Sequence, residues 1–324
     1  MSSAGTDPTR APAILCAGTI VLDEVFRVER FPPPDGKKLA QGFFEVHGGC
    51  AANAAIAIAR LGGRAVLAGP IGGPAGADAN GDRVLTALAR EHVDCTGCRR
   101  VAGVSTGISA IFIDAAGDRM IVTHRDERLA AVAPADAAHL VASADAVIAD
   151  NSLPEFVRPI CMAARARGLA VVLDADRATE VSDDLFRVAS HVVFSSECLR
   201  LTTGLDDLAA GLERIAAMTQ SVLAVTNGAH DVLWRRDRTL RRSPVFPVNA
   251  VDTLGAGDVF HGAFALALAE GRNLPAAIRF AAAAAGLKCT RLGGSAAAPY
   301  RGEVEALLAG SQPVEVQPAT GSKP

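Results

Sequence analysis

Short runs of β-branched and small apolar residues alternate with helical stretches along most of this chain, and that alternation restricts its folding options more than any other feature. Ala13 to Gly18 reads as a strand, about Ala51 to Leu61 as a helix, and Arg64 to Ala68 as the next strand. Ala146 to Asp150, Ala170 to Asp174, His191 to Phe194 and Val222 to Thr226 follow as buried strands, separated by helices such as Glu155 to Arg167 and Asp206 to Met218. Apolar strands of this kind need cover on both faces, so the expected fold is a doubly wound α/β one, with a mostly parallel central sheet flanked by helices. The chain has 324 residues, no repeat of fixed period and no long interior linker, so residues 13–310 are expected to form a single domain. Segments 1–12 and 311–324, rich in Ser, Thr, Pro, Gly and Gln, are expected to be loose tails.

Two stretches break the alternation. Glu24 to Val46 and Thr106 to His124 carry β-type runs without an intervening helix, and the second has hairpin spacing around Asp114-Ala115-Ala116-Gly117-Asp118. They are expected to form a small antiparallel sheet that acts as a lid. Its edges and outer face need protection, and pairing with a second copy would supply it, so a homodimer through the lid is expected.

Composition excludes several functions. Lys plus Arg number 32 against 35 Asp plus Glu, a net charge of −3 that offers no field for nucleic acid or anionic lipid. No apolar run reaches the ~20 residues of a membrane span. Seven scattered cysteines without a secretory leader read as reduced thiols in a cytoplasm. Cys95-Thr96-Gly97-Cys98 has no second ligand pair at zinc-site distance and reads as a turn. Trp234 is expected to pack in a hairpin, and His124 and His261 to be structural; His47 is the histidine best placed to meet a substrate.

The strongest local signal is Asp252-Thr253-Leu254-Gly255-Ala256-Gly257-Asp258 followed by an apolar helix. Small residues at a helix start let its free N–H groups approach an anion, which the helix dipole also attracts. Asp258 beside such an anion suits a carboxylate that takes a proton from an attacking hydroxyl or works with a metal, although it could also be a first-turn residue and nothing more. A second cluster, Gly48-Gly49-Cys50-Ala51-Ala52-Asn53, opens the Ala51 to Leu61 helix, and Asn53 offers both a donor and an acceptor to a hydroxyl.

Together these segments, from Gly48-Gly49 to Gly62-Gly63 and from Asp252 to Asp258, resemble the two signatures of the ribokinase-like (PfkB) carbohydrate kinases. The resemblance runs from about residue 13 to 305. It looks closest to ketohexokinases and sulfofructose kinases through Val21-Leu22-Asp23, Asp258-Val259-Phe260-His261-Gly262 and Lys288-Cys289. It implies transfer of a phosphoryl group from ATP, with magnesium, to a sugar hydroxyl. Asp258 would be the base and Gly255, Ala256 and Gly257 the anion hole. Asp23, Gly48, Gly49 and Asn53 would meet the sugar, and Ser195, Thr226, Gly228 and Gly257 the nucleotide. Asp252 and Thr253 lie where many members bind potassium.

The departures from the family bear on the substrate. Cys50 stands where ribokinases and several phosphosugar kinases carry Lys, and Thr123 and Ser152 replace the Asn and Arg that sulfofructose kinases use for the sulfonate, leaving Lys37 of that pattern. A neutral ketohexose or related polyol is therefore expected, ahead of sulfofructose, a nucleoside, or sugar binding without catalysis. The Asn-x-x-Glu metal motif is degenerate, with Ser195 and Cys198 at its ends, and Glu197 could replace its Glu by a one-residue shift, holding magnesium through water. A nicotinamide-dependent oxidoreductase is disfavoured because Gly18-Thr19-Ile20-Val21 lacks the G-x-G-x-x-G turn.

Overall fold

The computed structural model describes residues 10–311 and 317–318. In chain order the first half comprises β1 (Ala13–Ala17), β2 (Val21–Arg27), β3 (Gly42–Gly48), α1 (Cys50–Arg60), β4 (Arg64–Ala68), β5 (Pro70–Gly73), α2 (Ala79–Arg90), β6 (Arg99–Ala102), β7 (Gly107–Ile113), β8 (Arg119–His124), α3 (Glu127–Ala130), α4 (Ala137–Val141) and β9 (Ala146–Asp150). Then come α5 (Pro154–Ala166), β10 (Ala170–Ala175), α6 (Asp184–Val188), β11 (His191–Ser195), α7 (Ser196–Thr203), α8 (Leu208–Ala216), β12 (Val222–Asn227), β13 (His230–Arg236) and β14 (Thr239–Ser243). After these follow α9 (Ala256–Ala269), α10 (Leu274–Cys289), a 3-10 turn (Gly294–Ala297), α11 (Arg301–Ala309) and β15 (Gln317–Pro318). The outermost parts of both expected tails lie outside the described residues. Within them, Arg10 pairs with Asp145 and Gln317–Pro318 adds to β14.

The central sheet has nine strands in the order β15-β14-β13-β12-β11-β10-β9-β1-β4. From β4 to β12 every pairing is parallel; β13, β14 and β15 extend it antiparallel. Side chains alternate across it, as the two-residue strand period requires. In β1, Ile14 and Cys16 join the core under α1, α9 and α10, whereas Leu15 and Ala17 join the core under α5 to α8. Burial on both faces explains why these strands read as unbroken apolar runs. Trp234 is buried in β13 with its ring N–H on Ser243 Oγ, and Cys95 to Cys98 forms a turn closed by Cys98 N–H on Cys95 O. All seven cysteines are free thiols, and among the described residues no helix is long and apolar enough to cross a membrane.

The lid is a four-stranded sheet of order β3-β2-β7-β8. The sequence leads to a wholly antiparallel lid, but β2 and β7 pair parallel at its centre, because the chain leaves the lid after β3, threads α1 to β6, and re-enters in the same direction. Its inner face carries Asp23, Ser109 and Thr123 in one row and Val25 and Ile111 in the next, the apolar pair packing with Leu254. Its outer face carries the row Phe43, Phe26, Phe112 and Met120, with Phe26 stacked on Phe112 and tilted against Phe43.

Candidate active site

Register puts functional groups side by side at the carboxyl edge of the parallel strands, where ligands of such sheets bind. Asp174 pairs with Asp150 and Thr226 with Ser195 in adjacent strands. Helix α9 starts over this edge. Its cap Gly255 has φ +76°, a conformation that a side chain would disfavour. Ala256 N–H is engaged by Thr253 O at 3.2 Å, so it is not free for an anion as the sequence suggested. The N–H groups of Gly257 and Asp258 have no acceptor among the described residues, and a Cβ placed on Gly257 would meet nothing within 4 Å. This is an open anion cradle with the dipole of a 14-residue helix behind it.

Asp258 lies in that first turn. Asn53 Nδ2 donates to its Oδ2 at 2.6 Å, and the Cys50 thiol also hydrogen-bonds it. Burial pushes its pKa up to about 7, with the Asp176 and Asp150 carboxylates adding to the rise and the Asn53 bond opposing it. A carboxylate titrating near neutrality is suited to general-base work.

Asp23 sits on the inner face of the lid, so close to Gly48 that a Cβ there would lie 2.1 Å from its carboxylate. Burial raises its pKa to about 6 while a Ser109 hydroxyl bond opposes the rise, so it is ionised above neutrality and can accept hydrogen bonds from sugar hydroxyls. Gly49, at φ +93°, faces Thr19 O, which a Cβ would approach to 2.3 Å; it shapes the chain entry into α1. Asn53 does more than the sequence suggested. Its Oδ1 accepts from Ser295 Oγ at 2.5 Å, with His47 Nδ1 at 3.4 Å, so its amide is largely committed inside the protein and one N–H remains for a ligand. Burial lowers the His47 pKa to about 4, keeping the ring neutral. Lys37 is exposed on the connection between β2 and β3 and has no hydrogen bond or ion pair among the described residues. Among the described residues, no hydrogen bond or ion pair joins it to the other site residues.

Thr226 is the next-to-last residue of β12, and Gly228 lies in the β12–β13 turn at φ +58°. Ser195 Oγ is used as the cap of α7, accepting from Cys198 N–H at 3.1 Å. Glu197 does not replace the missing motif carboxylate. One residue turns a helix by about 100°, so Glu197 is exposed while Cys198 is buried facing Asp174 and Asp176. The carboxylate that does face the site is Asp174. One of its oxygens is buried without any partner, and burial together with Asp258, Asp176 and Asp150 raises its pKa well above the ordinary value. Its ligand atom lies within 4.8 Å of those of Asp258 and Cys50. A hard divalent cation fits the orphaned oxygen and the exposed Asp176 carboxylate beside it; the Cys50 thiol, its pKa raised by burial, does not suit magnesium. Asp150 is fully engaged by Thr19 and Ser152 and contributes charge only. Reading the sequence missed Asp150 and Asp174, although each ends an expected buried strand on a carboxylate at the sheet's functional edge. It also missed Ser295, and Arg125, whose guanidinium reaches Thr19 Oγ1 at 3.3 Å.

The expected potassium residues are already held. Lys288 Nζ lies 2.6 Å from Asp252 O and 3.2 Å from Asp252 Oδ2, and Arg119 donates to Thr253 Oγ1.

Comparison with known proteins agrees with this geometry. The profile of the pfkB family carbohydrate kinases matches residues 11–301. The chain is 29% identical over 299 residues to the ribokinase of Bacillus subtilis, covering 91% of this chain and 99% of that one. It is 27% identical over 329 residues to the probable fructokinase-4 of Arabidopsis thaliana, with 92% and 97% covered. The crystal structure of a provisionally assigned ribokinase from Agrobacterium tumefaciens matches with a TM-score of 0.87 at 38% identity, over 93% of this chain and 98% of that one. These relatives are a ribokinase, a provisionally assigned ribokinase and a probable fructokinase; the likeness to ketohexokinases and sulfofructose kinases rests on the short motifs alone.

Proposed function

The chain belongs to the pfkB family of carbohydrate kinases, phosphotransferases with an alcohol acceptor, and from that premise we propose that it moves the γ-phosphoryl group of ATP onto a hydroxyl of a small neutral sugar, a ketohexose or related polyol. The observation that carries the reading is Asp258 in the first turn of α9, next to the unpaired N–H groups of Gly257 and of Asp258 itself.

In this reading the sugar lies under the lid, with hydroxyls on Asp23 and the remaining Asn53 N–H. Asp258 takes the proton of the attacking hydroxyl as the oxygen approaches phosphorus, while the N–H groups of Gly257 and Asp258 hold the equatorial oxygens of the transferring group. Thr226 and Gly228 border the nucleotide. A magnesium ion held by Asp174 and Asp176 would supply positive charge against the phosphates. The lid excludes water, which competes with the sugar as acceptor. A neutral substrate is favoured because the carboxyl groups of Asp23, Asp150, Asp174, Asp176 and Asp258 crowd the site, where a substrate anion would meet acidic groups, and His47 stays uncharged. Ribose is the second candidate, since the Bacillus relative is a ribokinase. The outer lid row of Phe43, Phe26, Phe112 and Met120, half exposed at Phe43 and Met120, supports pairing with a second copy through this face.

The test is a coupled ATP-consumption screen over ketohexoses, aldopentoses, sulfofructose, inositols, phosphosugars and nucleosides, with the product's phosphorylation site read by NMR. Highest kcat/KM on a neutral ketohexose is expected. Preference for sulfofructose or a phosphosugar would contradict the electrostatic argument.

A further inference from the structure

The loop that feeds the anion cradle is fastened to the end of α10. Val251 and Asp252 N–H both donate to Cys289 O, at 2.7 and 3.1 Å. The Asp252 carboxylate in turn accepts from the N–H groups of Leu254, Gly293 and Gly294. At the centre of this knot is Lys288, which has no exposed surface at all. Its Nζ bonds the backbone oxygen of Asp252 and lies against its carboxylate. A wholly buried lysine is rare and costs desolvation energy, so it persists where its charge is matched, as here by a carboxylate and a carbonyl dipole. Next along the chain, Thr253 is held from above by Arg119, at the start of β8 in the lid. Thus the carbonyl and carboxylate oxygens of Asp252 and the hydroxyl of Thr253 are met by cations of the chain itself, while the Thr253 carbonyl accepts from the Ala256 N–H.

We propose that the Lys288 ammonium is a tethered monovalent cation, which positions the segment from Asp252 to Gly257 and makes this kinase independent of potassium. The potassium expected from the family resemblance does not fit here, because Nζ occupies hydrogen-bonding distance from Asp252 O and Oδ2 simultaneously. Lys288 touches no substrate in this account; it is a positioning residue acting on the cradle. A charge supplied by the chain is present at every ionic composition, whereas a bound ion is present only in proportion to its concentration. The proposal rests on the sugar-kinase reading for its effect on turnover, but its effect on the folded loop does not.

Two readouts therefore test it, in buffers where the sole monovalent cation is potassium, ammonium or choline. Wild type should have the same Tm in all three, and the same kcat on its best sugar. Lys288→Ala leaves a carboxylate and a carbonyl around an ammonium-sized space. In choline it should melt lower and lose about 10² in kcat, as displacement of a catalytic segment by about 1 Å does. Potassium or ammonium should restore much of both. Lys288→Met fills the space without charge and should not respond to any ion. If Lys288→Ala folds only in potassium or ammonium, that is the same result. A wild-type Tm or kcat that falls when potassium is replaced by choline would overturn the proposal, as would Lys288→Ala that matches wild type in choline or gains nothing from the small cations. Wild type inactive on every sugar, with the ion-specific recovery of Tm intact, would count against the kinase reading and leave the tethered cation standing.

Discussion

Asn53 Nδ2 donates a 2.6 Å hydrogen bond to Asp258 Oδ2, joining the first turns of α1 and α9 across 205 positions of sequence. On its other side the same amide accepts from Ser295 Oγ. The carboxylate therefore has its orientation set by a group that is itself fixed, which is how a site is held on rigid elements.

Replacing Asn53 by Leu keeps the volume and removes the bond. The Asn53 bond opposes the burial-driven rise of the Asp258 pKa, so its loss should move the rising limb of the kcat/KM profile to higher pH. Turnover should fall by up to about 10² from misorientation. A full pH–rate profile of Asn53→Leu with an unshifted limb and wild-type kcat would remove this residue from the account.

Asp258 should also weaken the fold at alkaline pH. Its folded pKa of about 7 exceeds the ~3.9 of an unfolded Asp, so the folded chain binds the extra proton between these values. That contribution is fully present below pH ~4 and is lost as pH rises through about 7. Asp258→Asn escapes the loss, so its Tm advantage over wild type should grow from pH 4 to pH 8. A difference constant over that range would mean that the carboxylate is not perturbed.

Two glycines of α9 should respond oppositely. A side chain at Gly257 meets open space, so Gly257→Val should fold normally yet obstruct the phosphoryl position and abolish turnover. At Gly262 an added Cβ would lie 2.6 Å from Ala54 O, where α1 and α9 touch, and Gly262→Val should cost about 1–3 kcal/mol of stability or more. Thermal melts and activity assays on the pair check both. Normal turnover in Gly257→Val would remove the phosphoryl group from that space.

Met120 lies in the outer lid row with Phe112 and Phe26 and is 44% exposed. If this face pairs with a second copy, Met120→Glu should produce a monomer by light scattering while leaving Tm nearly unchanged. A wild-type monomer at micromolar concentration would contradict the dimer.

How much of this was legible in the sequence follows from what each feature depends on. Strand Ala146–Asp150 could be bounded to the residue, because burial on both faces leaves an apolar run up to its closing Asp. Asp258 and Gly257 were readable because a helix start with small residues is a local pattern. The partners that tune Asp258 were not. Asn53 reaches it from a segment far away in the chain and is itself held by Ser295, and Asp174 enters through the register of β9 and β10, which sequence does not display. Lys288 was visible as a lysine in an apolar helix, but its contact with Asp252 depends on how α10 ends. The Glu197 expectation failed for a geometric reason: on a helix, a shift of one residue changes the face.

Asp258 as the base is tested most directly by kcat of Asp258→Asn with ATP and the preferred neutral sugar, with calorimetric Kd values for both ligands. Loss of a positioned general base should lower kcat by ~10² to 10⁴, with both Kd values near wild type, and wild-type kcat/KM should rise with pH through about 7 as the carboxylate ionises. An Asp258→Asn variant that keeps wild-type kcat would contradict that role.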